Sequence, residues 1–219
     1  MATKLIVSYD GTENDQDALA LGGVLADAGA SIVLAYVRHL RETGERERLA
    51  EHEAEELLRA GAASLGRPDV PQFVVLSAST PEGLAELAAT EGANAIVFGS
   101  AYRTTPGHVF PQASAERLLD GGRTAVAIAP AGYRPGPIRR IAALDGDEDE
   151  SASATAAAFA ARLGAEVVAR PNGGQDLLVV GSKLGTPPGQ VRVSAAAAYV
   201  IELIRCPVLV LPRGVPLSL

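Results

Sequence analysis

Residues 95–130 read AIVFGSAYRTTPGHVFPQASAERLLDGGRTAVAIAP, and residues 177–212 repeat their pattern without a gap. In each copy an apolar run ends in Gly-Ser, at Gly99 and Gly181, and a second glycine follows 8 positions later, at Gly107 and Gly189. A proline then closes a second apolar run 23 positions after that glycine. The repeated unit is therefore a strand, a glycine-bearing loop, a helix and a strand. A strand that leads into a glycine loop and a helix N-terminus is a common way to hold a phosphate.

The composition indicates a globular protein and argues against two classes of partner. Of the 219 residues, 47% are hydrophobic, and the net charge is −7, whereas a nucleic-acid surface needs concentrated positive charge. No apolar stretch approaches the roughly 18 residues that span a membrane, and the N-terminus lacks the pattern of a signal peptide. We therefore expect a cytoplasmic protein that binds neither nucleic acid nor membrane. The single cysteine, Cys206, cannot form an intrachain disulfide.

Strand-like and helix-like segments alternate along the first half. This order predicts an α/β fold with an open, parallel, five-stranded sheet and helices on both faces. The predicted strands are 5–10, 31–37, 73–76, 95–99 and 124–130, and the predicted helices are 13–28, 45–65, 80–90 and 114–119. Three helix-breaking and strand-breaking residues within 133–137 then predict a boundary between a first domain, 1–133, and a second domain, 138–219.

The second half restarts the same pattern in a shortened form. Residues 141–146 repeat the order apolar strand, Asp, Gly that ends at Asp10 and Gly11. Asp10 and Gly99 are 89 positions apart, whereas Asp145 and Gly181 are only 36 apart, so 53 residues of the first copy have no counterpart. We expect a helix over 151–163 to cross into the strand at 177–180. Residues 165–170 could be equivalent to the second strand, but only five residues, 171–175, follow them, and parallel crossovers usually need a dozen. We therefore expect a short extended or antiparallel segment there.

These residues together resemble the universal stress protein family in its tandem two-domain form, with a truncated second domain. The resemblance rests on the first-strand ending at residues 9–12, the Gly99-Ser100 loop with Gly107, the helix at 114–119 and the ending Cys206-Pro-Val-Leu-Val. It implies a Rossmann-like sheet of the adenine nucleotide alpha hydrolase type. Members of the family pair through their last strands. The two halves are accordingly expected to form an internal pseudo-dimer, and a homodimer of whole chains is left open.

The resemblance also implies a nucleotide site in the first half. In the nucleotide-binding branch of the family, the ends of the first two strands bind adenosine, while the glycine loop and the next helix start hold the phosphates. Arg103 lies in the same loop, where it could neutralise a phosphate. The implied cofactor is ATP, AMP or ADP, with no metal beyond nucleotide-associated Mg. The residues implied to bind it are Asp10, Val37, Gly99, Ser100, Arg103, Gly107, Gln112, Ala113 and Ser114.

Several positions depart from the nucleotide-binding pattern. Gln112 and Ala113 stand where the family has glycine and a hydroxyl residue, and Tyr102 or Thr104 stands where it has a further glycine. An Asp-Gly pair after a strand, such as that at Asp10, is also a common turn. Catalytic residues are not predicted, because the chain shows neither a Walker lysine nor a positioned Ser-His-Asp set.

Two function classes therefore remain. In the first, the chain is a stress-response protein that binds an adenine nucleotide in its first half, with ATP hydrolysis at most slow and incidental. In the second, it is a pairing and interaction module that has lost its nucleotide.

Overall fold

The computed structural model describes residues 3–39, 45–146 and 148–219, and over these ranges the chain forms nine strands and six helices. The strands are β1 (Lys4–Ser8), β2 (Ser31–His39), β3 (Gln72–Ser77), β4 (Ala95–Gly99), β5 (Ala125–Ala129), β6 (Arg140–Leu144), β7 (Glu166–Val168), β8 (Leu177–Val180) and β9 (Val208–Val210). The helices are α1 (Glu13–Asp27), α2 (Glu45–Ser64), α3 (Thr80–Glu91), α4 (Ala113–Leu119), α5 (Ser151–Leu163) and α6 (Ala195–Leu203). None of these helices is both long and apolar enough to cross a membrane, within the described ranges.

All nine strands belong to one sheet, in the order β3-β2-β1-β4-β5-β9-β8-β6-β7. Neighbouring strands are parallel except β5 and β9, which run antiparallel with Ala127 opposite Leu209. The five strands of the first half thus form one side of the sheet, and the four strands of the second half form the other. The predicted α/β class is confirmed. The sheet is larger than the predicted five strands because β9 continues it beyond β5.

Of the two alternatives expected for residues 165–170, the short extended segment is found and the antiparallel one is wrong. β7 pairs in parallel with β6, with Ile141 opposite Val167, so it takes the place beside β6 that β2 takes beside β1. The return to β8 is short because β7 has only three residues, which rise about 10 Å. The eight residues 169–176 can span more than twice that distance when extended. The chain therefore reaches β8 without counterparts of α2, β3 and α3.

The apolar core forms one layer on each face of the sheet, because successive strand residues point to opposite faces. On one face α1, α2 and α5 cover a layer that includes Val97, Phe159 and Leu209. On the other face α3, α4 and α6 cover a layer that includes Phe98 and Ile201. Each layer contains residues of both halves, so the core continues across the β5–β9 junction.

Candidate functional site

The residues implied to bind adenosine, Asp10 and Val37, lie towards the carboxyl ends of β1 and β2. Val37 lies within β2 and is buried, and its Cγ1 atom would be 3.0 Å from a Cβ placed on Gly83 of α3. Its side chain therefore packs into the core. On the opposite side, Gly11 has a φ of +83°, and a Cβ there would lie 2.5 Å from the Leu57 side chain of α2. α2 thus packs closely over the turn that follows β1.

Asp10 is exposed and stabilises the turn between β1 and α1. Its carboxylate accepts a hydrogen bond from the Thr12 N–H at 3.1 Å, and its own N–H donates to the carboxyl group of Asp15. Asp15 is only 4% exposed. Burial is the main cause that raises the pKa of Asp15 to about 8, and the neighbouring Asp10 carboxyl adds to it. Asp15 is therefore largely protonated at neutral pH.

Gly99 and Ser100, at the start of the glycine loop, contact α1 and the end of β5. A Cβ on Gly99 would lie 1.8 Å from the carbonyl oxygen of Asn14, so the start of α1 can pack on β4 only if residue 99 is glycine. The Ser100 hydroxyl is buried, donates to the Ala129 carbonyl at 2.7 Å and accepts from the Phe110 N–H at 3.2 Å. Both residues therefore have structural contacts at the positions implied to touch phosphate.

The rest of the loop folds back on itself and on the segment after β5. Gly107 has a φ of +84°, and its N–H donates to the Ala131 carbonyl at 2.7 Å. Gln112 precedes α4, but its side chain caps none of the helix N–H groups. Ala113 and Ser114 form the first turn of α4, as predicted for the helix that follows the loop.

Arg103 lies in the same loop, between β4 and α4. It has a φ of +67°, and its guanidinium carbon lies 5.3 Å from the centre of the Tyr102 ring. Arg103 and His108 line a surface cavity of about 560 Å³ together with Glu202 of α6. Asp10 and Val37 are not among the residues that line this cavity.

The second copy reproduces the same contacts 82 positions later (181 minus 99). The Ser182 hydroxyl donates to the Leu211 carbonyl at 2.8 Å and accepts from the Arg192 N–H at 3.0 Å. The Gly189 N–H donates to the Arg213 carbonyl at 2.8 Å, as Gly107 does to Ala131. The two helix starts differ, because Ser194 caps α6 by accepting from the Ala197 N–H at 3.1 Å. What the repeat preserves is therefore an internal hydrogen-bond network.

Two of the groups implied to touch phosphate already have hydrogen-bond partners within the protein. Phosphate-binding loops need backbone N–H groups that point at the ligand, whereas Gly107 donates its N–H to Ala131 and the Ser100 hydroxyl donates to Ala129. Five surface cavities over the described residues are lined by other residues, and Asp10, Val37, Gly99 and Ser100 are not among them. Within the same ranges, no group of three His, Cys, Asp or Glu residues could hold a metal ion. The binding roles of these residues stay predictions.

The sequence analysis did not predict two buried aspartates, Asp17 and Asp149. Each accepts at least one hydrogen bond from a backbone N–H group of the segment that follows the last strand of one half. Asp17 of α1 accepts hydrogen bonds from the N–H groups of Gly132 at 2.8 Å and Tyr133 at 2.7 Å. Asp149, just before α5, accepts from the N–H of Gly214 at 3.3 Å. Burial raises the pKa of Asp17, and its two N–H donors oppose that shift. The sequence did offer one signal for Asp17, which is an acidic residue within the apolar stripe of α1.

Comparisons with known proteins show a family match in the first half and a shared fold over nearly the whole chain. A model described as the universal stress protein family matches residues 1–130. No curated protein matches the chain. A crystal structure of a universal stress protein from Archaeoglobus fulgidus DSM 4304 is 15% identical, with a TM-score of 0.73 over 96% of this chain and 98% of that one. A functionally unknown protein from Pseudomonas aeruginosa PAO1 is 13% identical, with a TM-score of 0.63 over 97% and 93%. At these identities the two structures show a shared fold that extends over both halves.

Proposed function

The chain belongs to the universal stress protein family, and from that premise we propose that it is a stress-response protein that works as a paired two-half scaffold without a bound nucleoside triphosphate. One observation carries this proposal: both glycine loops have the same internal hydrogen-bond network. In each loop a buried serine donates to a carbonyl at the end of the last strand of its half: that of Ala129, the last residue of β5, or that of Leu211, which follows β9. The proposal includes no catalytic step.

Binding a triphosphate would compete with this network. The Ser100 hydroxyl and the Gly107 N–H would each have to leave a carbonyl partner, and each such hydrogen bond contributes about 1 kcal/mol to stability. The side chains of Tyr102 and Gln112 also stand where close approach of the backbone to phosphate requires glycine. These costs favour a loop that serves structure.

The β5–β9 ladder supports the scaffold part of the proposal. The two last strands pair through Val126, Ala127 and Ile128 on β5. We propose that this arrangement is an intramolecular pseudo-dimer, in which each half covers the strand edge that the other would expose. The free edges of β5 and β9 are then both paired within one chain. A homodimer of whole chains would have to use another surface.

An adenine nucleotide in the first half is the second candidate. It is favoured by Asp10, whose carboxylate is exposed at the carboxyl edge of the sheet where α/β proteins bind ligands. AMP would need fewer contacts from the loop than ATP, because it lacks the two outer phosphates. Asp10 is the residue that separates this candidate from the scaffold proposal.

Two measurements test the proposal on the whole chain. The first is mass spectrometry of any small molecule released when freshly purified protein is denatured. The second is thermal unfolding with added ATP or AMP, where a ligand at 100 times its Kd stabilises by about 2.7 kcal/mol. We expect no released nucleotide and no shift with ATP. A saturable ATP shift that Asp10→Ala abolishes would overturn the proposal in favour of the second candidate. Asp69→Asn, an exposed change outside the implied site, is the control.

A further inference from the structure

A cavity of about 350 Å³ lies where the two halves meet. Its walls come from the glycine loop, the segment after β5, the segment before β8 and the segment before β9. The lining residues used below are Tyr133, Arg134, Gln175, Asp176, Arg205 and Cys206. This junction pocket combines residues of both halves and shares only Gly107 with the site implied by the family resemblance.

Gln175 places a buried hydrogen-bond donor at this pocket. The residue is 5% exposed, and its Oε1 accepts from the N–H groups of Asn172 at 3.1 Å and Gly173 at 3.0 Å. Its Nε2 is buried and makes no hydrogen bond to an oxygen or nitrogen among the described residues, and the only polar contact it has there is towards the Cys206 sulfur, a weak acceptor. Buried polar groups in proteins are nearly always paired, so an unpaired amide at a cavity indicates that a ligand oxygen completes it.

The charges around the pocket favour an anion. Arg205 and Arg134 are exposed, and neither belongs to an ion pair over the described residues. The carboxylate of Asp176 is engaged, because its Oδ2 accepts from the N–H groups of Arg139 at 2.8 Å and Arg140 at 2.9 Å. With two guanidinium groups and one carboxylate, the lining has a formal net charge of +1 (2 minus 1), which favours a negative ligand.

The other two ionisable groups of the pocket stay neutral. Burial raises the pKa of the Cys206 thiol to about 12, and the contact with Gln175 opposes this only in part. Burial, with the nearby charge of Asp176, likewise raises the pKa of the Tyr133 phenol. Neither group adds negative charge to the pocket at neutral pH. The thiol is also too weakly acidic there to supply a reactive thiolate.

We propose that the junction pocket binds a small anion with a carboxylate or phosphate group. Gln175 Nε2 donates to an oxygen of the anion, and Arg205 neutralises its charge. The volume is at the lower end of the range for ligand sites, which suits a small metabolite. Since residues of both halves line the pocket, a bound anion would also link the two halves.

The test is a titration of the ¹⁵N-labelled whole chain, followed by NMR, with inorganic phosphate and separately with succinate at constant ionic strength. We expect at least one probe to shift the Gln175 side-chain amide and the Ala131 backbone amide in a saturable way. Which probe saturates distinguishes a phosphate ligand from a carboxylate ligand. If neither probe saturates, the proposal is overturned.

Two variants connect the signal to the pocket. Gln175→Glu keeps an oxygen to accept from Asn172 and Gly173 but removes the donor and adds negative charge. Arg205→Gln changes an exposed side chain and so tests the pocket even if Gln175→Glu fails to fold. Each should weaken binding roughly tenfold or more, as expected for a charge-assisted hydrogen bond. Arg123→Gln, which makes the same charge change at an exposed position outside the pocket, should leave it unchanged. Saturation that Arg205→Gln leaves unaltered would place the anion elsewhere.

Discussion

Two aspartates after β1, Asp10 and Asp15, have the same side chain but differ in burial, and burial changes the ionisation of Asp15. Asp10, an exposed carboxylate at a strand end, was the obvious candidate for a ligand contact. Asp15 lies in the first turn of α1 and is buried. Its carboxyl group accepts a hydrogen bond from the Asp10 N–H. The pair therefore shares one local environment, in which the buried partner holds its proton.

Replacing Asp15 with Asn should alter how stability depends on pH. The pKa of Asp15 rises from 3.8 to about 8 in the folded chain, so the folded state binds this proton more tightly than the unfolded state. The resulting stabilisation is complete below pH 3.8 and is lost as the pH rises towards 8, by up to about 1.4 kcal/mol per pH unit. Asparagine keeps an oxygen for the Asp10 N–H and does not titrate.

Urea unfolding of both proteins at pH 5 and pH 8 measures this effect. We expect Asp15→Asn to gain stability relative to the unmodified chain on going from pH 5 to pH 8. The exposed change Asp69→Asn should show no such gain. A difference between Asp15→Asn and the unmodified chain that is the same at both pH values would contradict the assignment of a buried, protonated carboxyl.

At the scale of elements, the two glycine loops repeat the same set of hydrogen bonds. Each loop is held to the last strand of its half by one buried serine, Ser100 or Ser182, with matching donors and acceptors. If that is their role, the two serines contribute alike, although only the first half was predicted to bind nucleotide.

Ser100→Ala and Ser182→Ala should therefore destabilise the chain by similar amounts. Each change leaves a carbonyl and an N–H group without their hydroxyl partner, which costs about 1–3 kcal/mol when those groups are buried. Chemical denaturation of the two variants gives the comparison, with Ser114→Ala as the control because Ser114 lies in the first turn of α4 and belongs to neither serine–carbonyl pair. An unchanged stability for Ser100→Ala alone would indicate that the first loop is open to a ligand.

The elements themselves could largely be predicted from the sequence, because their apolar periodicity and their turn residues are local signals. The predicted strand at 95–99 and helix at 151–163, for example, match β4 and α5. β7 was misjudged, because the usual crossover length does not apply to a strand of three residues. The loop contacts could not be predicted, since the partner of Ser100 lies 29 residues away, at Ala129. The buried state of Asp15 and the open Nε2 of Gln175 likewise depend on packing that no local pattern encodes.

At the scale of the whole molecule, the junction between the halves decides how the chain unfolds. β5 and β9 are hydrogen-bonded, and each apolar layer includes residues of both halves. Asp17 further ties α1 to the segment that leads into the second half. Two units that share one sheet and one core in this way are expected to unfold together.

Leu209→Ala tests this cooperativity, because Leu209 belongs to the second half but is buried in a layer that both halves form. Removing its side chain should cost about 2–5 kcal/mol. Native-state hydrogen exchange then reports which strands lose protection. If the halves form one cooperative unit, amides of β1 and β4 should lose protection together with those of β6 and β8. Val215→Ala, which truncates a partly exposed side chain near the C-terminus, should change neither set. Loss of protection confined to β6 and β8 would show that the first half keeps its stability alone, and the paired scaffold would then be two separate domains.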